Sequence, residues 1–521
     1  MASPKTSTSI YIALVVSLGG FLYGFDASVI SGVVGYIIPQ MDLDSVEIGV
    51  VVSSPSFAAM ISMLLAGTLS TYTGRKKILI YAALLYAISA IGSALAIGFW
   101  TIVIARMIGG LAFGAALVLA PLYIAEIAPA AQRGKLVAIQ QLNLVIGLSV
   151  AYFTNYFLQN AMAESSALTE QNVWRWMLAL EAIPAVVYFV MMFFVPRSPR
   201  WLLLKGYTEE AKGVLTKLFG DEKAEEERQQ IELSIEESRR EKKPFGQLIK
   251  MLFSFEMRLV LTIGLVIGIV QMITGINAIF FYANTIFEQS GVGKDAAFTQ
   301  AVMVGVTFVL FTIIAMTIID RFGRKPLLLA GLAGVVISLS IAVYGFSQAT
   351  YTLTEESAVQ LSEKIETVKI ESVIGKTYSS DIEFRRALTP LIGKTAFRDN
   401  QDQLVKLAIR TNPILILVGI LGFIASFAVS LGPVMWVLLA EIFPTQIRGL
   451  SISVIGFINS FTSFLVTLVF PWELENLGTI TTFLIYIGFA VVGLIMIARL
   501  LPETKGKSLE ELEEVLVKRR K

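Results

Sequence analysis

The stretch GGFLYGFDASVISG, Gly19 to Gly32, carries one carboxylate, Asp26, inside a long apolar run. A separate apolar run, IVIARMIGG, carries one guanidinium, Arg106. A charge at the centre of a bilayer costs at least about 2.5–3.5 kcal/mol, so each should face a bundle interior or a cavity and have a partner. The two charges are the obvious pair. Arginine keeps its proton under any reasonable condition, so Asp26 is the member able to switch. The proton affinity of a carboxylate rises with burial and falls beside a guanidinium. A changing distance between the two groups would therefore load and unload a proton, which is the requirement for coupling transport to a proton gradient. The alternative is a static ion pair that fixes helix register. The chain contains no His and no Cys, so imidazole cannot carry the proton, and disulfides, thiol catalysis and thiolate metal sites are excluded. No nucleophile–base pair or metal cluster appears, which speaks against an enzyme and against a cofactor.

A second group of candidates is neutral. Gln141 lies in QQLNLVIG, Gln271 and Asn277 lie in QMITGIN, and Asn459 lies in GFINSF, with Trp436 in a further apolar run. Each amide both donates and accepts hydrogen bonds, and an aromatic plate can cover an apolar CH face, so the set suits a polyhydroxylated, uncharged cargo. Taken singly, an amide in a span is also glue between helices. Gln271 and Asn277 are six residues apart and would diverge by some 120° on an ideal helix at about 100° per residue. Both reach one ligand only if the helix breaks, and Gly275 is placed to break it. Gly432 and Pro433 are expected to do the same next to Trp436. Phe281 and Tyr282 are candidate lids or ordinary packing aromatics.

These residues must be held by membrane helices. The 521 residues are 55% hydrophobic with a mean hydropathy of +0.71, too apolar for a soluble chain. Twelve runs are long enough to cross about 30 Å of hydrocarbon as helices: 10–36, 46–70, 78–97, 101–127, 134–159, 174–196, 255–289, 296–320, 325–347, 413–440, 448–472 and 479–500. They lack the alternation of barrel strands, and helices satisfy their own backbone. Loops carrying GRKK, RGK and DRFGRK alternate with loops free of Lys and Arg, which predicts cytoplasmic termini in a cell membrane. The start, MASPKTSTS, lacks a cleavage site, so the first span is expected to stay as an anchor.

Two polar stretches interrupt the pattern. Residues 200–250 have apolar residues at helical spacing and are expected to form amphipathic helices under the bundle; 348–411 are expected outside, with ESAVQLSEKIETVKIESVIG helical. The halves repeat. GRKK after the second run matches GRK after the eighth, and EIAPAAQRG after the fourth matches EIFPTQIRG after the tenth. Two parallel six-helix halves place a binding site between them near the midplane. The expected units are a half at 1–199, the intracellular-helix segment at 200–250, and a second half at 251–521 that carries the insertion and a tail from about 501. The repeated charges Arg75, Glu126, Arg133, Asp320, Arg324, Glu441 and Arg448 are expected to form a cytoplasmic network that holds one conformation closed.

Nine motifs in order, GFDASVISG, ARMIGG, PLYIAEIAPAAQRG, WRWM, PRSPRWL, TGINAIFFYA, DRFGRKPL, GPVMWVLLAEIFP and PETKG, resemble the sugar porter family of the major facilitator superfamily over the whole chain except the outer insertion. The resemblance implies an all-α membrane protein with 12 transmembrane helices in two pseudo-symmetric halves. It also implies alternating-access transport of a monosaccharide, hexose or pentose, with a proton as co-substrate and the lipid bilayer as surroundings. No nucleic acid is implied, and a monomer is the simplest assembly. In resembling symporters the carboxylate at Asp26 is the coupling group, whereas facilitative glucose transporters commonly have Asn there. A uniporter or a transporter-like sugar sensor are the alternatives. Gln141, Gln271, Asn277, Trp436 and Asn459 fall on sugar-contacting positions of the family. Phe308 stands where the family commonly has Asn and Met272 where it has Gln, which implies an altered sugar preference or a weaker affinity. Thr71 and Arg197 stand where the family has Asp and Glu.

Overall fold

The computed structural model describes residues 4–129, 132–240, 244–361, 370–393, 396–397, 400–505 and 511. The first half consists of α1 (Pro4–Met41), α2 (Ser45–Thr73), α3 (Arg75–Ala94), α4 (Phe99–Ile127), α5 (Arg133–Glu164) and a sixth span in two pieces, α6 (Val173–Ala179) and α7 (Ala182–Phe194). Four short helices follow: α8 (Pro199–Leu204), α9 (Thr208–Phe219), α10 (Asp221–Arg240) and α11 (Phe245–Leu252). The second half opens on a span in three pieces, α12 (Arg258–Ile273), α13 (Ile276–Phe281) and α14 (Ala283–Glu288), followed by α15 (Lys294–Phe322) and α16 (Arg324–Ser347). After the insertion it continues with α20 (Pro413–Val429), α21 (Leu431–Ile442), α22 (Thr445–Asn476) and α23 (Gly478–Leu500), the insertion itself holding α17 (Glu355–Leu361), α18 (Asp381–Ile392) and α19 (Gln401–Ala408). Among the described residues, twelve spans are long and apolar enough to cross a membrane. Both termini and α8–α11 therefore lie on one face, called here the terminal face, and the insertion lies on the far face.

Small residues set how closely the spans pack. A Cβ on Gly24 of α1 would stand 1.9 Å from the Leu144 carbonyl oxygen of α5, and one on Gly110 of α4 would stand 2.2 Å from the Pro55 carbonyl oxygen of α2. Backbones approach this closely only through glycine, and dispersion and packing then replace the hydrophobic drive that lipid cannot supply. At the far face α2 starts on a reciprocal cap: Asp44 accepts from the Glu47 amide at 2.8 Å and Glu47 accepts from the Asp44 amide at 3.0 Å.

The break expected at Gly275 is present. This residue has φ +90°, left-handed backbone that favours glycine, and it separates α12 from α13. The break in the tenth span falls two residues earlier than Gly432 and Pro433. Ser430 leaves helical geometry between α20 and α21, with φ −122° and ψ −91°. Pro433 supplies the reason: it has no N–H to return to the Val429 carbonyl, and its ring crowds that carbonyl.

The insertion is not a simple helix. Its expected helical stretch contains α17, a part that lies outside the described residues, and a single turn at Glu371–Val373. It also holds a three-stranded antiparallel sheet, β1 (Thr350–Thr352) between β2 (Thr377–Tyr378) and β3 (Ile409–Arg410), with Tyr351 opposite both Tyr378 and Ile409. Tyr351 and Phe384 stack in a separate small core beneath it.

Candidate functional site

Asp26 of α1 and Arg106 of α4 meet. Arg106 Nη1 lies 3.4 Å from Asp26 Oδ1, and both residues are buried, at 2% and 5% exposure. Arg106 also donates from Nε to the Val51 carbonyl of α2 at 3.2 Å. The two charges lie in the same half, so rocking one half against the other does not by itself separate them. A third charge, Glu181, was not singled out from the sequence. It sits buried at the joint between α6 and α7, within electrostatic reach of both Asp26 and Arg106. Its signal was the same as that of Asp26: a lone carboxylate in an apolar run, MLALEAIPAVV.

In the second half the amides converge on the two broken spans. Gln271 donates from Nε2 to the Leu431 carbonyl at 2.9 Å, beside the break in the tenth span. Asn459 of α22 donates from Nδ2 to Gln271 Oε1 at 2.9 Å and to the Gly268 carbonyl at 2.8 Å. Asn277, beyond the Gly275 break, donates to Ser463 Oγ at 2.6 Å. Trp436 of α21 is 45% exposed. Gln141 of α5 is half-buried and makes no side-chain hydrogen bond among the described residues.

Three further candidates are packed among other side chains in this conformation. Phe308 of α15 is buried, with its ring 4.8 Å from that of Phe280, so in this conformation it packs behind α13. Tyr282 points into the second half, donating to the Thr467 carbonyl at 3.2 Å and lying 5.1 Å from the Phe470 ring. In this conformation it anchors the broken span. Phe281 is buried in the same core. Their burial follows from the way α13 and α14 lie against α1 and α22.

The halves meet toward the far face, in contacts the sequence did not reveal. Ser31 of α1 donates to Asn284 Oδ1 of α14 at 2.7 Å and accepts from the Asn284 amide at 3.0 Å. Tyr152 of α5 donates to the Phe280 carbonyl at 2.6 Å. Gln159 accepts from Tyr36 and donates to Asp295 of α15 at 3.1 Å. Serine, asparagine and tyrosine are too common in spans to stand out by composition.

On the terminal face Arg75 and Arg324 each pair with a glutamate of their own half. Arg75 Nη2 lies 2.8 Å from Glu126 Oε1, and Ser198 donates to the other carboxylate oxygen. Arg324 Nη2 lies 2.8 Å from Glu441 Oε1, and Thr504 donates to the other oxygen at 2.8 Å. Arg448 Nε donates to the Phe443 carbonyl at 3.2 Å. Arg133 is exposed, and the Asp320 side chain lies outside the described residues. In this conformation the network ties helices inside each half, because each Glu sits at the end of the span next to its own Arg.

The family model for "Sugar (and other) transporter" matches residues 12–363 and 392–516, with its gap inside the insertion. The chain belongs to this sugar transporter family, within the major facilitator superfamily. It is 33% identical over 512 residues to the arabinose-proton symporter of Bacillus subtilis, covering 98% of this chain and 95% of that one. It is 32% identical to the D-xylose-proton symporter of Escherichia coli, covering 96% and 94%. Among solved structures, the inward open conformation of the xylose transporter XylE from E. coli superposes with a TM-score of 0.75 at 30% identity, covering 97% of this chain and 99% of that one. Sugar transporters of this fold are multi-pass membrane carriers and not enzymes.

Proposed function

We propose that this transporter carries a monosaccharide together with a proton, with Asp26 as the coupling carboxylate. The observation that carries the reading is the buried contact between Asp26 and Arg106. A titratable acid is held there where a structural pair would be costly to keep. The relatives named as arabinose-proton and D-xylose-proton symporters support the same cargo class.

On this reading Gln141, Gln271, Asn277, Trp436 and Asn459 line the sugar site. Gln271 and Asn459 satisfy one another, so an arriving sugar trades its hydroxyls for bonds already made, and affinity rests on the difference. The rocking units are 1–199 and 251–521, joined by 200–250. The basic terminal face is taken as cytoplasmic from the Lys and Arg of its loops, which makes the far-face contacts an outer gate and the conformer inward-facing. The test is uptake of labelled hexoses and pentoses into proteoliposomes, with and without an inward proton gradient, for the native chain and Asp26→Asn. Gradient-driven accumulation that the variant loses is expected. Equilibration indifferent to both gradient and mutation would mean uniport.

A further inference from the structure

The two halves end their charge networks differently. In the second half, Gly323 precedes α16 with φ +89° and ψ 166°, and the carboxylate of Glu503 accepts from the first amides of that helix, Arg324 N and Lys325 N, each at 3.2 Å. In the first half Gly74 precedes α3 with nearly the same backbone, φ +88° and ψ 150°. There the matching position of PRSPR against PETKG is Arg197, and the matching position of TYTGRK against DRFGRK is Thr71. The start of α3 therefore has no capping side chain. The amides of Arg75 and Lys76 find no protein acceptor among the described residues. Counted over these two positions, the first half is three charge units more positive than the second.

A cavity of about 170 Å³ opens at this helix start, lined by Arg75, Lys76, Lys77 and Arg197 together with Gly74 and Trp201, and by no carboxylate. Arg75 is 7% exposed, and its Nε has no hydrogen-bond partner although its Nη2 holds Glu126. Lys76 Nζ is steadied by the Phe193 carbonyl at 2.8 Å. The only ion pair of Arg197 among the described residues is a loose one, 3.4 Å to Glu210, with both side chains more than 40% exposed, and such a pair is weak. Helix-start amides with converging Lys and Arg make a seat for a tetrahedral anion. The second half fills the same seat with its own carboxylate.

We propose that the start of α3 binds a phosphate group, supplied either by a phosphate-bearing solute or by an anionic lipid headgroup. The two sources share one chemistry and are separated by experiment. The full-length protein is purified in a maltoside detergent, which carries no phosphate, and its thermal midpoint is followed by intrinsic fluorescence. One arm adds inorganic phosphate against chloride at matched ionic strength; the other adds phosphatidic acid in mixed micelles. A saturable upward shift in the first arm identifies a soluble anion, and one in the second alone identifies a headgroup. Arg197→Glu places in the first half the carboxylate that the second half already has, and should weaken the apparent affinity at least about tenfold. It should also keep its own midpoint at or above the native value, which separates lost binding from lost folding. Lys76→Gln should weaken binding several-fold. No saturable shift in either arm, or a shift undiminished in Arg197→Glu, overturns the proposal.

Discussion

Replacing Asp26 by Asn removes the carboxylate 3.4 Å from a guanidinium only 2% exposed, with the buried Glu181 within electrostatic reach of both. Breaking a buried pair is usually expensive, about 3–5 kcal/mol, because the partner is left charged and uncompensated. Here Glu181 remains within reach of Arg106, so the single loss is expected to cost only about 1–2 kcal/mol, and Glu181→Gln about the same. Removing both leaves Arg106 with the Val51 carbonyl as its one hydrogen-bond partner among the described residues. The double variant should then pay the full cost of about 3–5 kcal/mol against about 2–4 kcal/mol for the singles together, a coupling of about 1 kcal/mol between neighbours that share a partner. For a chain of this size each kcal/mol moves a thermal midpoint by on the order of 1–2 °C. The singles should thus melt a few degrees below the native protein, and the double about 1–2 °C further down than the sum of their shifts. The assay is fluorescence-detected unfolding in detergent, with size-exclusion profiles to establish that each variant starts folded. Shifts in the double variant equal to the sum of the singles would refute the idea of a shared guanidinium.

Further outcomes follow from the same geometry. Phe308→Asn buries an amide beside the Phe280 ring, at a cost of about 1–3 kcal/mol for an unsatisfied group; a lower midpoint with unchanged sugar affinity is expected, and tighter sugar binding would put residue 308 in the site. Ser31→Ala removes both Ser31–Asn284 bonds, worth about 1 kcal/mol each. It should shift the halves toward a conformation open on the far face at least about fivefold, read as labelling of a cysteine introduced into this Cys-free chain. Asp381, outside the spans, has its proton affinity raised first by burial, against the opposing pull of Arg385. A raised carboxyl adds stability that is complete below its ordinary value of 3.8 and is lost as pH climbs through the raised value. Docking of the insertion on the start of α23, followed by amide exchange, should therefore loosen as pH rises out of the acid range, and Asp381→Asn should flatten that dependence.

Most of the architecture was legible because a bilayer leaves few choices. Apolar length gave the twelve spans, and the runs 46–70 and 479–500 match α2 (Ser45–Thr73) and α23 (Gly478–Leu500) within three residues. The break at Gly275 was legible because two amides six residues apart demanded it. The break at Ser430 was misplaced because proline acts on the carbonyl four residues back, so its effect appears upstream of the residue that causes it. The Asp26–Arg106 pair could be read from cost alone, whereas the burial of Glu181 depends on how α6 and α7 meet the bundle. The little sheet of the insertion was invisible, since strands of two or three residues carry no periodic signal. Phe308 was assigned from a family position, and its packing against Phe280 depends on a conformation that no single residue encodes.

The pairing of charges within each half changes where coupling must act. If Arg75 with Glu126 and Arg324 with Glu441 tie their own halves, breaking them is not what opening the far face requires. The element that touches both the proton site and the other half is α1. Asp26 and Ser31 are five residues apart, about 7.5 Å along a helix, and Ser31 is bonded to Asn284 on the broken seventh span. Close by, Gly24 is pressed on the Leu144 carbonyl and Gly147 on the Phe21 carbonyl, so α1 and α5 move as one body up to the acid. Beyond it, α1 is held by both halves: Asn155 of α5 donates to the Val29 carbonyl at 3.0 Å and Tyr36 donates to Gln159, while Ser31 is bonded to Asn284. A change in the charge of Asp26 therefore acts on the helix that also carries the contact with the second half. On the proposed reading, protonation shifts the halves through α1.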